Sequence, residues 1–488
     1  MRLSKLITAL QGVEIVGTND WEREIVALSV DSRKKQESSL FICLAGENID
    51  SHTLVKEAER NGAVAILAER RIETNLPLFL VEDTRKALGL LSSAFYGEPS
   101  KQVKVIGITG TNGKTTTSYM LASILRAAGK RVGVIGTLGV VCGEKSFPAE
   151  LTTPDPIELN RLLAEMVLQG VEYVVMEASA HALYFRKTDG ISFAACIFTN
   201  LTQDHLDFFK DMNAYKEAKL RLFTARNCPI AVVNGDDSVG REIAQLRGEE
   251  RSCVYTLNTP SDRFAVITDD SLKGTECMFN LNDKLYRVSL KMTGEYNVYN
   301  ALAAASCAES LGFGEWLAEG LSSVEKVRGR LQWVGGLYGA EIYVDFAHTP
   351  DGLSKSLDTL KKYCKGRLIC LFGCGGNRDK GKRSLMGESA AKRCDFCILT
   401  SDNPRYEDPL DIISQIEAGY RRFSTCYVIV PDRERAIDYA LDCLRVGDIL
   451  LIAGKGGEDS QEIMGIKYPF NDQDMVEKFI RQKGKNLS

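Results

Sequence analysis

The sequence is poor in histidine, has no long apolar run and carries only a small excess of acidic charge. Only four histidines occur in 488 residues, so any imidazole chemistry is confined to His52, His181, His205 and His348. No stretch approaches the roughly 18 uninterrupted apolar residues that a membrane-spanning helix needs, which predicts a soluble, cytoplasmic chain with no membrane partner. The 61 basic and 65 acidic residues leave a net charge of −4. That balance offers no global attraction to nucleic acid or anionic lipid, so an anionic ligand has to be held locally. The dense cysteine spacing of a secreted disulfide scaffold is also missing. Fourteen cysteines lie scattered through apolar segments such as 41–43, 195–197 and 368–370, which predicts buried free thiols in a reducing compartment. The one CxxC, Cys394 to Cys397, has no second Cys/His pair beside it and straddles the start of an apolar run, so it reads as structural. Residues 1–17 lack a small-residue cleavage site, and their apolar runs are broken by Lys5, Gln11 and Glu14. They read as a helix of the mature chain.

What is present is length and a repeated pattern. Single hydrophobic cores stop growing at roughly 250 to 300 residues, so a chain this long predicts three domains. Residues 1–98 mix short apolar strands (40–44, 63–67, 78–81) with helical stretches and close at Gly97-Glu98-Pro99-Ser100, predicting a small α/β domain. From Lys104, apolar runs at 105–108, 132–135, 173–176, 194–198 and 230–233 alternate with helical segments, the pattern of a mainly parallel sheet. Between Phe264 and Met292 the periodicity falls to two, with turn signals at Asp269-Asp270, Lys273-Gly274 and Asn282-Asp283. This predicts an antiparallel insertion, followed by a helix over 297–309. After Gly329-Arg330 the alternation restarts, with strands at 342–346, 368–372, 396–400, 427–430 and 449–452, predicting a Rossmann-like unit. The expected division is 1–98, 99–331 and 332–488.

The strongest single motif is the run from Val105 to Thr117, a buried strand, a glycine turn (Gly110, Thr111, Asn112, Gly113) and a helix start (Lys114, Thr115, Thr116). Such a turn offers backbone N–H groups and a helix N-terminus to phosphate, Lys114 can neutralise β/γ oxygens, and Thr115 or Thr116 can reach Mg²⁺. ATP is the expected ligand. The spacing differs from the general P-loop, which needs glycine where this chain has Ile108.

Further chemistry clusters beyond predicted strand ends, where open α/β sheets bind ligands. Glu177 and His181 follow one strand, Asp204 and His205 another, and His348 a third, while His52 sits in a predicted turn. Arg378, the Asp402-Asn403-Pro404-Arg405 turn and the Gly454-to-Glu458 segment all follow strands of the last predicted sheet, so they can converge on one ligand.

These segments resemble the Mur ligases of bacterial cell-wall synthesis, which share GTNGKT with the folylpolyglutamate synthases. The likeness runs along most of the chain, through Val30-Asp31-Ser32-Arg33, Gly46 to Asp50, Leu151-Thr152-Thr153-Pro154, Tyr215 to Phe223, Gly294 to Ala304, Gly329-Arg330, Val344 to Pro350 and the Asp402-to-Arg405 turn. The resemblance implies a three-domain ATP-dependent ligase in which a substrate carboxylate forms an acyl phosphate that an amine then displaces. It implies that Lys219 is carbamylated by CO₂ and, with Glu177, His205 and Thr115, serves two Mg²⁺ ions. It implies that Lys114, Lys219, His205 and Glu177 are catalytic, and that Asn300, Arg330 and Asp345 line the nucleotide site. Ser32, Glu47, Asn48, Thr152, Thr153, Ser179 and Lys187 would contact a UDP-MurNAc-dipeptide.

Within the family the motifs match members that add the third residue of the cell-wall peptide, and the Asp402-to-Arg405 turn matches those that use meso-diaminopimelate. That acceptor carries an additional carboxylate, which the planar guanidinium of Arg405 can bind bidentately. Arg378, Asp402, Asn403, Pro404, Gly454 and Glu458 would complete the site of a monomeric enzyme. The chain departs from the family at Gly457, where histidine is usual, at Ala180, where serine is usual, at Lys187, where arginine is usual, and at Ser51, where glycine is usual. These changes touch the acceptor side and leave open a related ligase joining a different carboxylate and amine, lysine for example. A folylpolyglutamate synthase has no reason to carry the Asp402-to-Arg405 turn, and a non-catalytic scaffold has no reason to keep every phosphate and metal group.

Overall fold

A computed structural model describes residues 1–17, 21–46, 49–143, 145–148, 150–224 and 228–485. The chain divides into two compact units, one made of residues 1–107, 130–196 and 218–229 and the other of residues 108–129, 197–217 and 230–488. Both are α/β.

In the first unit a five-stranded sheet runs in the order Glu14–Val16, Leu78–Leu80, Ala63–Ala68, Ser39–Ile42, Ala27–Ser29. Only the Glu14–Val16 edge is antiparallel. Its central strands are buried almost residue for residue because both faces are covered, which is why they read as continuous apolar runs. The expected helix over 1–17 is corrected here: helix spans only Leu3–Ile7, whose Leu3, Leu6 and Ile7 are buried. Gln11 and Gly12 then interrupt the apolar face, Gly12 turns at φ +68, and the chain enters the edge strand. His52 lies in a short turn over Ser51–Leu54 and is buried. Its Nδ1 faces Asp50 at 2.6 Å and its Nε2 accepts from the Glu69 N–H at 3.1 Å, a structural role. Further along, Tyr173–Glu177 pairs in parallel with Val132–Gly136. Antiparallel strands Gly139–Cys142 and Lys145–Phe147, which no sequence signal announced, extend this pair.

In the second unit Ala231–Asn234 and Ser252–Thr256 pair in parallel, and the latter hands over to an antiparallel meander of Arg263–Ser271, Gly274–Leu281 and Lys284–Leu290. Burial alternates strictly along Gly274–Leu281, as the period of two requires. Asn282 and Asp283 both take positive φ, the tight-hairpin geometry their side chains tolerate. The Asp269-Asp270 signal is not a turn. It lies inside the first strand, where the register shifts between Ile267 and Asp269, and a bulge suits the same polar residues.

The last sheet has six strands in the order Gln332–Leu337, Ala340–Asp345, Ile449–Ala453, Leu368–Phe372, Phe396–Leu399, Tyr427–Ile429. All but the Gln332–Leu337 edge are parallel. Separate apolar cores form on its two faces, one around Leu357, Phe372 and Ile416 and the other around Ile369, Ile437 and Val476. A short hairpin of Ser460–Ile463 and Ile466–Pro469 follows the strand Ile449–Ala453. All fourteen cysteines are free, with Cys394 and Cys397 buried. Among the described residues no helix is long and apolar enough to cross a membrane.

The strand ends are pinned from beneath by one fully buried ion pair. Arg433 donates from Nε and Nη2 to the Asp472 carboxylate, both at 2.7 Å, and further to Ser401 O, just past the strand Phe396–Leu399, and to Ala453 O, the last residue of the strand Ile449–Ala453. Burial of the guanidinium works against its charge, but Asp472 outweighs it and raises the Arg433 pKa. Removing one partner strands the other charge in the interior, so Asp472→Ala is expected to cost about 3–5 kcal/mol. The urea midpoint of the purified variant reads this out, and a shift equivalent to less than about 1 kcal/mol would mean the pair is not holding the strand ends.

Candidate active site

The phosphate turn is held rigid before any ligand arrives. Gly110 sits at φ +147, where a Cβ would lie 1.9 Å from Thr199 Oγ1, and Gly113 at φ +88, where a Cβ would lie 2.2 Å from Asn300 Oδ1. The segment after the strand Phe193–Phe198 clamps the turn. Thr111 N and Asn112 N donate to Asn200 O and Oδ1 at 2.8 and 3.0 Å, while Thr199 Oγ1 and Asn200 Nδ2 donate to Asn112 O at 2.7 and 3.1 Å. The Thr111 and Asn112 N–H groups are therefore spent on protein. The Thr115 and Thr116 N–H groups, in the first turn of helix Lys114–Ala127, are the donors a phosphate would meet. Lys114 Nζ donates to Gly110 O and Thr111 O, both at 2.9 Å, and so stands at the mouth of the turn.

Around it the same unit gathers the other expected nucleotide residues. Arg330 donates from Nη2 to Thr115 Oγ1 at 2.9 Å and its guanidinium lies 4.4 Å from the Phe346 ring centre. Asn300 reaches Thr117 Oγ1 with its Oδ1 at 3.4 Å and Asn297 Oδ1 with its Nδ2 at 3.3 Å. Asp345 is buried and accepts from the Ser356 hydroxyl; burial raises its pKa, against the pull of Ser356 and Arg330. Asn112 Nδ2 donates to Asp351 Oδ2 at 3.1 Å.

A buried carboxylate that the motifs did not single out for a role, Asp204, gathers one lysine and two histidine side chains. Lys382 Nζ donates to its Oδ1 at 3.1 Å, and the Nε2 atoms of His205 and His348 each stand 3.5 Å from its Oδ2. Burial pushes the Asp204 carboxyl up, but His348, Lys382 and His205 together outweigh burial and hold it well below the usual carboxylate range. His205 itself takes a left-handed conformation at φ +56 at the start of helix Leu206–Phe209.

In the first unit, Glu177, Thr152, Thr153 and Ser179 are brought together. The buried Glu177 carboxylate accepts from Thr137 N at 2.9 Å and Thr137 Oγ1 at 3.1 Å. That Thr137 hydroxyl lies 3.1 Å from Thr152 Oγ1. Thr153 Oγ1 donates to Glu177 O at 2.8 Å and accepts from Ser179 N at 3.0 Å, and Ser179 Oγ caps the helix Ala180–Tyr184, which carries His181. Thr137 joins this cluster and was missed by sequence reading, because a threonine directly after a strand carries no chemical signature. Lys187 pairs with Asp155 at 2.7 Å. Ser32 donates to Glu57. Lys219, in helix Met212–Thr224, is fully buried. Glu47 and Asn48 lie outside the described residues.

The three strand-end segments of the last sheet do converge. Asn403 is the hub: its Nδ2 donates to Glu458 Oε2 at 2.9 Å, and its Oδ1 accepts from the fully buried Lys455 Nζ and from Glu462 N, both at 2.9 Å. Lys455 Nζ also donates to Glu458 Oε2 at 2.8 Å. Gly454, at φ +111, has room only for hydrogen, because a Cβ would meet Asp402 Oδ2 at 2.5 Å. Arg405 and Arg378 both come close to Gly375, whose Cβ position lies 3.0 Å from Arg405 Nη1 and 3.6 Å from Arg378 Cγ. Pro404 backs this loop, its carbonyl set against Gly376. The loop is braced by Arg383, fully buried, which binds both Glu407 oxygens from Nη1 and Nη2 at 2.9 and 3.0 Å. Those hydrogen bonds, aided by the Asn377 N–H and opposed by burial, hold the Glu407 pKa down at about 2.

Among the described residues no group of three or more His, Cys, Asp or Glu side chains is placed to hold a metal ion. Taken singly, the Thr115 hydroxyl in the second unit and the Glu177 carboxylate in the first are oxygen donors of the kind Mg²⁺ takes, an ion that uses few protein oxygens and relies on phosphate and water for the rest.

Two family descriptions match the chain, Mur ligase middle domain over residues 108–308 and Mur ligase, glutamate ligase domain over residues 329–456. A protein of Geobacillus thermodenitrificans, named UDP-N-acetylmuramoyl-L-alanyl-D-glutamate--2,6-diaminopimelate ligase, is 38% identical over 492 residues, covering 99% of this chain and 100% of the relative. One of the same name from Syntrophomonas wolfei is 41% identical over 472 residues, covering 95% and 96%. A solved structure of a ligase of that name superposes with a TM-score of 0.70 at 30% identity over 99% of both chains.

Two measurements test this geometry. Gly113→Ala forces a side chain onto Asn300 in a conformation that favours glycine, so the affinity for a non-hydrolysable ATP analogue should fall at least about tenfold; titration calorimetry giving an unchanged Kd would show the turn to be softer than described. The Glu407 carboxyl is depressed from its ordinary 4.5 to about 2, so its contribution to stability is complete above that ordinary value and fades as pH falls towards the folded value. The gap in urea midpoint between the unmodified chain and Glu407→Gln should therefore narrow on acidification through that window. A gap independent of pH would exclude the Arg383 pairing as its source.

Proposed function

The chain belongs to the Mur ligase family, and on that premise we propose that it is an ATP-dependent, ADP-forming ligase that adds meso-diaminopimelate to the D-glutamate of UDP-N-acetylmuramoyl-L-alanyl-D-glutamate in peptidoglycan precursor synthesis. The observation that supports the choice of acceptor is the cluster in which Asn403 meets Glu458 while Arg405 and Arg378 both stand near Gly375, because a guanidinium there could take an additional carboxylate bidentately. Full-length identity to diaminopimelate ligases supports the donor.

Residues 1–98 are assigned to the UDP-substrate, 99–331 to ATP and 332–488 to the amino acid, in a monomer acting in the cytoplasm. Ser32, Glu47, Asn48, Thr152, Thr153, Ser179 and Lys187 are assigned to the UDP-linked substrate. Gly110 to Thr116 take the phosphates, and Asn300, Arg330 and Asp345 the rest of the nucleotide. The substrate γ-carboxylate attacks the γ-phosphorus of ATP, forming the acyl phosphate as the bond to ADP breaks. The acceptor amine then adds to the acyl carbon, and the tetrahedral adduct collapses with loss of inorganic phosphate. Lys114 and the Thr115 and Thr116 N–H groups hold the phosphates against their mutual repulsion, and most of the acceleration comes from positioning and charge neutralisation. Two Mg²⁺ ions, held by Thr115, Glu177, His205 and Lys219 as its CO₂-derived carbamate, would supply charge neutralisation between the phosphates and the attacking carboxylate. Carbamylation suits a buried lysine because it converts an ammonium that resists burial into an oxygen ligand with a cation to pair with.

ADP release is to be measured with the UDP-dipeptide and, separately, meso-diaminopimelate, L-lysine and L-ornithine. Turnover is expected with diaminopimelate, and turnover with lysine alone would replace the acceptor. Arg405→Ala should lower kcat/KM for diaminopimelate by about 100-fold while leaving the KM for ATP within about twofold. Equal loss of both would sink the assignment.

A further inference from the structure

Resting on the acceptor reading above, we propose that Glu462 is a positioning residue that sets acceptor affinity and selectivity by holding Arg405 in its receiving orientation. Glu462 belongs to the hairpin strand Ser460–Ile463, which is laid directly along the acceptor turn. Gln461 Nε2 donates to Asp402 O at 2.6 Å and Glu462 N donates to Asn403 Oδ1 at 2.9 Å. The Arg405 backbone is then enclosed from both sides, its N–H donating to Glu462 O at 3.0 Å and its carbonyl accepting from Met464 N at 2.7 Å. Arg405 needs such enclosure, because it holds φ +53, a left-handed conformation that a non-glycine residue keeps only when its surroundings impose it.

The side chain is fixed as well. Arg405 Nε donates to Glu462 Oε2 at 3.0 Å and Nη1 donates to Gly376 O at 2.8 Å. A guanidinium has five N–H donors in a rigid fork; two are committed to the protein, and both Nη2 hydrogens with one on Nη1 are left for a ligand. Glu462 and Gly376 thus set the plane and direction of the fork before the acceptor binds. A long, rotamer-rich side chain ordered in advance removes that ordering cost from binding. The lost orientation would weaken a ligand that presents a carboxylate, and would leave one that ends in an ammonium indifferent. Glu462 therefore belongs to selectivity and not only to stability.

The test uses the full chain with saturating ATP and UDP-dipeptide. Glu462→Ala removes the acceptor oxygen and is expected to raise the KM for meso-diaminopimelate about tenfold, with kcat and the KM for ATP within about twofold. Glu462→Gln keeps an oxygen that can accept from Nε and should recover most of the lost affinity. An unchanged KM for diaminopimelate in Glu462→Ala overturns the inference, as does a matching rise in the KM for ATP, which would mark a general lesion. If Glu462→Ala does not fold, Glu462→Gln decides alone: a KM raised beyond tenfold, or one raised together with that for ATP, counts against the inference, and a rise below about threefold confined to diaminopimelate supports it. An unmodified chain that turns over only acceptors lacking a second carboxylate overturns the acceptor reading and this inference with it. Diaminopimelate turnover by the unmodified chain with an unaffected Glu462→Ala overturns this inference only.

Discussion

Everything at the nucleotide side depends on a turn that must face an anion with some of its peptide groups while the others are satisfied by protein. A buried backbone group without a partner costs about as much as a lost hydrogen bond. Asn200 resolves this by using its carbonyl, its Oδ1 and its Nδ2 on Thr111 N, Asn112 N and Asn112 O. With those groups tied down, the two glycines can press against Thr199 and Asn300, and the helix from Lys114 starts at a fixed point. The same segment leads on to Asp204, so the residue that gathers His205, His348 and Lys382 is placed by the clamp that shapes the turn.

The loops at the strand ends of the last sheet solve a similar problem with charges. Lys455 and Arg383 are fully buried cations, and each is paired with a carboxylate and with neutral oxygens. Such pairs add little to stability compared with apolar packing, yet breaking one is expensive, so they specify geometry more than they strengthen the fold. Here the geometry is that of the loops 373–380, 400–408 and 454–463, which leave different strands and are sewn to one another through Asn403, Glu407 and Glu462. The Arg433–Asp472 pair holds two of the same strand ends from below.

Parallel strands were legible because they are buried on both faces and appear as apolar runs, and the meander because its burial alternates. Edge elements were not. Glu14–Val16 is three residues long and pairs with Leu78–Leu80 far along the chain, while Gly139–Cys142, Gln332–Leu337 and the hairpin from Ser460 pair with strands next to them in sequence but show neither a strict alternation of burial nor a long apolar run. The helix expected over 1–17 shrank to Leu3–Ile7 for a related reason: apolar residues after Gln11 serve a strand edge. Asp269-Asp270 marked a real irregularity, but a bulge and a turn favour the same residues.

Among the candidate site residues, those with distinctive chemistry stood out in the sequence: Lys114 and Thr115 after a glycine turn, Glu177 and His205 at or past strand ends, Arg405 and Glu458 after strands of one sheet. The residues that aim them were not, because Thr137, Asn200, Arg383, Lys455 and Glu462 are ordinary polar side chains whose partners lie far away along the chain or on an unmarked hairpin. The sequence by itself determined the alternation of strands and helices and the chemical types at the strand ends, since both are local properties of the chain. Only the tertiary structure decided which donors remain for a ligand, because that depends on which hydrogen bonds the rest of the protein has already taken.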